Sequence, residues 1–211
     1  LELAQGAELV VLAVKPQQLA SAAATLPRGG GPLYLSIVAG ATTSLLRERL
    51  GANARIVRSM PNTPALIGAG ISAVASDSGA TPADLDLACA VLRAVGSVVR
   101  VPESALDAVT GLSGSGPAYV FAFIEALVEA GAREGLAPET ARALALETVH
   151  GAARLALESG EDPAVLRERV SSPGGTTLAG LGALSEGGFR EAILAAVHRA
   201  TERSKALAGG G

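Results

Sequence analysis

The stretch VSSPGGTTLAG, residues 170–180, concentrates groups that can hold an anion. Ser171, Ser172, Thr176 and Thr177 supply hydroxyls, each able to donate or accept a hydrogen bond. Pro173, Gly174 and Gly175 end the preceding regular structure, and Thr176 with Leu178 and Leu181 begins the periodicity of a new helix. The first turn of a helix leaves backbone N–H groups unpaired at the positive end of the dipole, which suits a carboxylate or a phosphate. The same residues also describe an ordinary capped turn, in which one Ser or Thr satisfies the helix end. Taken alone they leave both readings open.

A second hydroxyl cluster, Thr110, Ser113 and Ser115, lies in TGLSGSGPAY (110–119), where Gly114 and Gly116 read as a packing turn ahead of an apolar helix. Three further loops follow apolar runs. AVKP (13–16) presents Lys15 either to an anionic ligand or simply to solvent before the helix-starting Pro16. SIVAGATT (36–43) carries Ala39, Gly40 and Ala41, small enough for close backbone approach by a flat ligand or for a tight strand-to-helix turn. SMPNTPALIGAG (59–70) holds Asn62 and Thr63 between two prolines; Asn62 offers a donor and an acceptor to an amide, or closes an Asx-type turn.

The elements that must position these loops are legible in the first half as an alternation. Continuous apolar runs at 8–14, 32–38 and 54–60 predict strands, the first buried on both faces. Helical patterns at 17–26 and 42–50, the second opened by a Thr cap, separate them and favour a parallel sheet. Residues 70–76 and 97–101 can add strands around a helix at 83–94. Beyond Pro102 only helices follow, with Gly or Pro punctuation. The helix at 117–134 is apolar on nearly every face and must be buried all round; since about 110 residues of short helices hardly enclose it, a dimer interface is expected. Ligands of open parallel sheets bind beyond the carboxyl ends of the strands, where the first three loops lie.

Composition excludes several classes. The 211 residues are 49% hydrophobic and 18% charged with a net charge of −3, enough apolar material for a core and no basic surface for nucleic acid. No uninterrupted apolar run reaches the roughly 18 residues of a membrane span; the longest, 118–128, is broken by Glu125. The single cysteine, Cys89, reads as a small core residue, and His150 and His198 show no metal-ligand spacing, so no metal site and a reducing, cytoplasmic setting are expected.

AVKP, RSMPNTP, TGLSGSGPAY and VSSPGGTTLAGL, in this order and spacing, closely resemble the pyrroline-5-carboxylate reductase family over essentially the whole chain. The resemblance implies an α/β domain followed by an all-α domain: a partial Rossmann-like parallel sheet over 1–101, and a helical substrate-binding and dimerisation domain over 102–211. It implies NADPH- or NADH-dependent reduction of 1-pyrroline-5-carboxylate to L-proline by a homodimer, with dimers often assembled into rings. By the same resemblance Ala13, Val14, Lys15, Pro16, Ile37, Val38 and Ala39 border the cofactor, with Asn62 near its nicotinamide. Ser172, Gly174, Gly175, Thr176 and Thr177 bind the substrate, and Thr177 and Thr110 are catalytic. The chemistry fits a sequence without a His, Cys or Asp cluster, because a protonated cyclic imine is already electrophilic and the protein mainly orients two partners.

One feature of the family is absent. Its opening strand and G-x-G-x-x-G turn do not occur in this sequence, so the first β-α units of the cofactor domain are expected to be missing and dinucleotide binding weakened. Two alternatives stay open: another imine or β-hydroxyacid reductase of the same architecture, and a truncated, non-catalytic helical assembly protein.

Overall fold

A computed structural model describes residues 4, 6–28, 30–77 and 79–209. Strands β1 (Leu9–Leu12), β2 (Leu33–Ser36), β3 (Arg55–Met60), β4 (Gly70–Ser76) and β5 (Gly96–Arg100) form one sheet in that spatial order. Helices α1 (Leu19–Ala24) and α2 (Thr43–Leu50) make the crossovers between the first three strands, which are parallel as expected. Thr42 caps α2 by accepting the Leu45 N–H at 3.1 Å. β4 instead runs antiparallel to β3, and β5 follows it in parallel after α3 (Pro82–Arg93). The connection between β3 and β4 is a short prolyl loop without a crossover helix, and a chain so joined can only turn back on itself.

Contacts divide the chain into two compact units, the described residues up to Pro117 with those from Ala196 onward, and Ala118–Ala195. In the first, both sheet faces are covered. Tyr34, Ile56 and Leu12 pack beneath Leu19, Ala23, Leu46 and Leu50 of α1 and α2. Leu33, Leu35, Val57 and Val74 pack on the other side against Ala88, Cys89 and Leu92 of α3, so Cys89 is the core residue expected. The expectation that β1 is buried on both faces is not met: Val11 is 45% exposed. β1 lies at the sheet edge, and α3 packs against the inner strands. After β5 the chain enters α4 (Leu106–Val109), whose Leu106 joins Met60, Ala73 and Ala75 in a third cluster, so residues just past Pro102 pack with the sheet.

The second unit is helical. It contains most of α5 (Gly116–Arg133), then α6 (Pro138–Ser159), α7 (Pro163–Arg169), α8 (Thr176–Glu186) and the start of α9 (Phe189–Gly209). Gly131 lets α5 approach α6, for a Cβ there would stand 3.1 Å from the Ala141 Cβ. Phe123 and Phe189 meet with ring centroids 6.0 Å apart. A single chain does not enclose α5, which is the situation that leads to the expectation of a dimer interface. No residue of α5 is buried, and Phe121 is 60% exposed. A unit of this size does not have the apolar volume to enclose it. The continuous helical run Glu103–Arg133 also contains an 18-residue stretch of mean hydropathy 1.2, which by length and composition alone could cross a membrane. Glu125 interrupts the apolar run of this stretch without cancelling its average hydropathy.

Candidate active site

The parallel register sets Leu12 beside Ser36 and Ser36 beside Arg58, so the loops leaving β1, β2 and β3 emerge at one edge of the sheet. Ala13, Val14, Lys15 and Pro16, then Ile37, Val38 and Ala39, then Asn62 are thereby brought to a common carboxyl edge within the first unit. Pro16 opens a single 3-10 turn and Lys15 precedes it in extended conformation; among the described residues Lys15 forms no ion pair. Val38 is buried in the core beneath α1 and α2, so only its backbone can face a ligand. Gly40 has φ +75°, a left-handed turn that glycine adopts without strain, and it carries the chain to Thr42 and α2.

Asn62 does not close an Asx turn. Its Oδ1 accepts the N–H of Ile71, nine residues away, at 3.0 Å, which pins the prolyl loop to β4. The acceptor is thus occupied, and the carboxamide N–H groups remain as donors. Asn62 shares an open cleft of about 480 Å³ with Met60, Thr63, Leu66, Thr110 and Ser115. Two of the predicted site residues, Asn62 and Thr110, therefore line one cavity of the first unit.

Thr110 begins a π-turn, Thr110–Gly114, in which the Ser115 N–H donates to the Thr110 carbonyl at 2.9 Å. Its hydroxyl donates to the Leu106 carbonyl at 2.8 Å and keeps acceptor capacity toward the cleft. The packing role expected for Gly114 and Gly116 falls to a different glycine. A Cβ on Gly114 would make ordinary contact with Met60 at 3.6 Å, and one on Gly116 would meet open space. On Gly111 it would stand 2.3 Å from the Thr201 Oγ1 and 2.7 Å from the Val197 carbonyl oxygen. Gly111 is what lets α9 approach.

Sequence reasoning missed a polar cluster behind these loops. Arg58, buried on β3, donates to the Glu103 Oε1 at 2.8 Å. Thr43, the first residue of α2, donates its N–H to the same oxygen at 2.7 Å and its hydroxyl to Oε2 at 2.5 Å. Burial alone would raise the Glu103 pKa, but the Thr43 hydroxyl and N–H and the Arg58 guanidinium outweigh it and hold the carboxyl below its ordinary range. The available signal was Arg58 itself: an arginine inside the apolar run ARIVRSM must find a partner once the strand is covered.

The remaining site residues belong to the second unit. Gly174 has φ +70°, and the Gly175 N–H donates to the Ser172 carbonyl at 3.0 Å, so the turn after α7 is tight. A Cβ on Gly175 would lie 2.5 Å from the Ser172 Oγ, which rotation of that exposed side chain relieves, and 3.1 Å from the Ser172 carbonyl oxygen, a tight but tolerable approach. Gly175 is the N-cap of α8, and no side chain caps the helix. The N–H groups of Thr176, Thr177 and Leu178 are left open at the positive end of an 11-residue helix, so the capped-turn reading does not hold. Thr176 is exposed and Thr177 half-buried, with Ser172 exposed before them. Ser171 drops out of this group, because its hydroxyl donates to the Arg167 carbonyl at 2.6 Å and closes the end of α7.

The chain is similar over most of its length to proteins of one family. Residues 103–207 match the family described as pyrroline-5-carboxylate reductase dimerisation. The pyrroline-5-carboxylate reductase of Synechocystis sp. is 48% identical over 207 residues, covering 98% of this chain and 77% of the relative. That of Methanosarcina acetivorans is 46% identical over 202 residues, covering 95% and 75%. Among solved structures, the Plasmodium falciparum pyrroline carboxylate reductase with NADP bound superposes with a TM-score of 0.91 at 34% identity, over 98% of this chain and 79% of that one. The Coxiella burnetii pyrroline-5-carboxylate reductase gives 0.89 at 40% identity, over 97% and 77%. The chain thus spans about three quarters of the length of these relatives.

Proposed function

The chain belongs to the pyrroline-5-carboxylate reductase family, and from that premise we propose how its own residues carry out the family's reaction. The protein is an oxidoreductase that reduces 1-pyrroline-5-carboxylate to L-proline with NAD(P)H, and it is a homo-oligomer through its helical region. Identity of 48% over nearly the whole chain favours this over a different imine or β-hydroxyacid reductase, or over a non-catalytic assembly protein.

The carrying observation for the substrate site is the open N-terminus of α8. Its first N–H groups, with the Ser172 hydroxyl, hold the substrate carboxylate, and Gly174 and Gly175 give the anion close access to the backbone. The Thr177 hydroxyl hydrogen-bonds either the substrate's ring nitrogen or its carboxylate and so orients the imine. Thr110, with acceptor capacity toward its cleft, is the second catalytic hydroxyl.

The residues at the carboxyl edge fit the nicotinamide end of the cofactor: the glycine turn at Gly40 admits close approach, and Asn62 keeps carboxamide donors for an amide. Ala13, Val14, Lys15 and Pro16 with Ile37, Val38 and Ala39 would hold it there. When bound, NAD(P)H supplies the hydride that adds to the C=N carbon, while the π pair moves onto nitrogen. The nitrogen keeps its proton throughout, so the chain needs to supply no strong acid; it orients and neutralises.

The domain division that goes with this reading is a cofactor domain over 1–101 and a helical domain over 102–211, supported by a family match that begins at residue 103. Exposed apolar residues on α5 support a dimer that covers them, and assembly of dimers into a ring belongs to the same reading. So does a cytoplasmic location, which a lone buried thiol at Cys89 suits. The test follows the absorbance of the reduced nicotinamide: NADPH oxidation with pyrroline-5-carboxylate, and NADP+ reduction with an open-chain β-hydroxyacid. Turnover of the cyclic imine alone is expected; turnover of the hydroxyacid alone would overturn the assignment.

A further inference from the structure

We propose that Glu103 is a positioning residue for the cofactor, because its one carboxylate ties together the three segments that carry the cofactor-edge and cleft residues. The proposal rests on the assignment of that edge to the dinucleotide.

The first segment is the loop 37–42, which ends at Thr43. Both the N–H and the hydroxyl of Thr43 donate to Glu103, at 2.7 and 2.5 Å, across 60 residues of sequence. The second is the β3–β4 loop. Arg58 lies two residues before Met60 and four before Asn62 on a strand in which it is buried, and its guanidinium meets Glu103 at 2.8 Å. The third is the segment in which Glu103 itself lies, a 3-10 turn leading directly into α4 and Thr110, whose hydroxyl is anchored on Leu106. The sheet register brings these together. Arg100 stands opposite Val74 and Val74 opposite Ser59, so the chain leaves β5 level with the carboxyl end of β3.

Three donors converge on two oxygens: Oε1 takes both the Thr43 N–H and the Arg58 guanidinium, from two different segments, and Oε2 takes the Thr43 hydroxyl. Glu103 does not itself line the cleft around Asn62 and Thr110. Removing its carboxylate leaves each loop attached to its own strand but frees the loops from one another. The cofactor then meets the aligned arrangement only part of the time, and its apparent dissociation constant rises by the inverse of that fraction. A purely structural role would lower the melting temperature and leave the affinity of the still-folded protein unchanged.

The experiment uses the full chain and measures NADPH binding by fluorescence titration well below the melting temperature. Alongside it, amide hydrogen exchange is followed at 37–43 and 60–63. Glu103→Ala is expected to raise the NADPH dissociation constant roughly tenfold and to speed exchange in both loops at once. Thr43→Val and Arg58→Gln each cut one arm and keep the proposal testable should Glu103→Ala fail to fold. Their effects on NADPH affinity are expected to be non-additive, since both act through the same carboxylate. Thr43→Ser, which keeps both donors, should bind like wild type. Additive effects of Thr43→Val and Arg58→Gln, or unchanged affinity in the folded variants while the wild type binds, would overturn the proposal alone. A wild-type chain that binds neither NADPH nor reduced nicotinamide mononucleotide, a probe of the nicotinamide end that needs no dinucleotide-phosphate turn, would overturn the cofactor-edge assignment and this inference with it.

Discussion

Replacing Thr177 by valine separates recognition from capping in a single variant. Thr177 is half-buried in the first turn of α8, whose N-cap is Gly175 and which has no side-chain cap. The hydroxyl therefore closes no helix end, and valine, nearly the same shape and helix propensity, removes no intramolecular hydrogen bond. Stability should change by no more than about 0.5 kcal/mol. The substrate loses more. A hydrogen bond to a charged group is worth about 1.5–3 kcal/mol, which converts to a roughly 10- to 150-fold fall in kcat/KM for pyrroline-5-carboxylate. The partition of that loss identifies the partner. If the hydroxyl meets the carboxylate, which keeps its charge throughout, KM rises and kcat holds. If it meets the nitrogen, whose charge is cancelled as the hydride arrives, kcat moves as well. Thr177→Ser should restore most of the rate. Steady-state kinetics with a melting curve for each protein are sufficient. A Thr177→Val enzyme with unchanged kcat/KM and a lowered melting temperature would refute the reasoning and return the motif to a helix cap.

Gly111→Ala should destabilise the protein by about 1–3 kcal/mol in thermal unfolding, because the new methyl meets the Val197 carbonyl oxygen at 2.7 Å and backbone cannot yield as a side chain would. Placing a charge at Phe123 by Phe123→Asp should break the oligomer, since Phe123 sits on the apolar α5 in the family's dimerisation region; sedimentation of wild type as a folded monomer would count against this. The Glu103 carboxyl has a folded pKa below its unfolded one, so its contribution to stability is complete above the unfolded pKa and is lost as pH falls through the folded pKa. Glu103→Gln should accordingly flatten the acid limb of the stability profile measured by denaturant titration between about pH 3 and 6, with wild type and variant converging at the acid end.

Much of the architecture follows from local sequence. Apolar runs bounded by Pro and Gly mark β1 to β5, the Thr cap of α2 stands where the pattern puts it, and the helices after Pro102 begin and end at their punctuation. The four motifs also name the family, because each is a short stretch whose residue types are constrained together. The open end of α8 is legible in the same way: GGTT sets a glycine at the N-cap and a helix immediately after it, all within a few residues. What the local pattern could not carry is which distant group meets which. Asn62 reads equally as a turn residue or a free amide until β4 folds back and the Ile71 N–H takes its oxygen. Gly114 and Gly116 look like the packing glycines, and only the path of α9 shows that Gly111 is the crowded one. Glu103 is one acid among many until the register of β5 brings it to Thr43 and Arg58. The periodicity of a segment reports which side it buries. The partner on that side is set by strand order, direction and register, which are properties of the whole sheet, so the loops were readable in advance and the carboxylate that joins them was not.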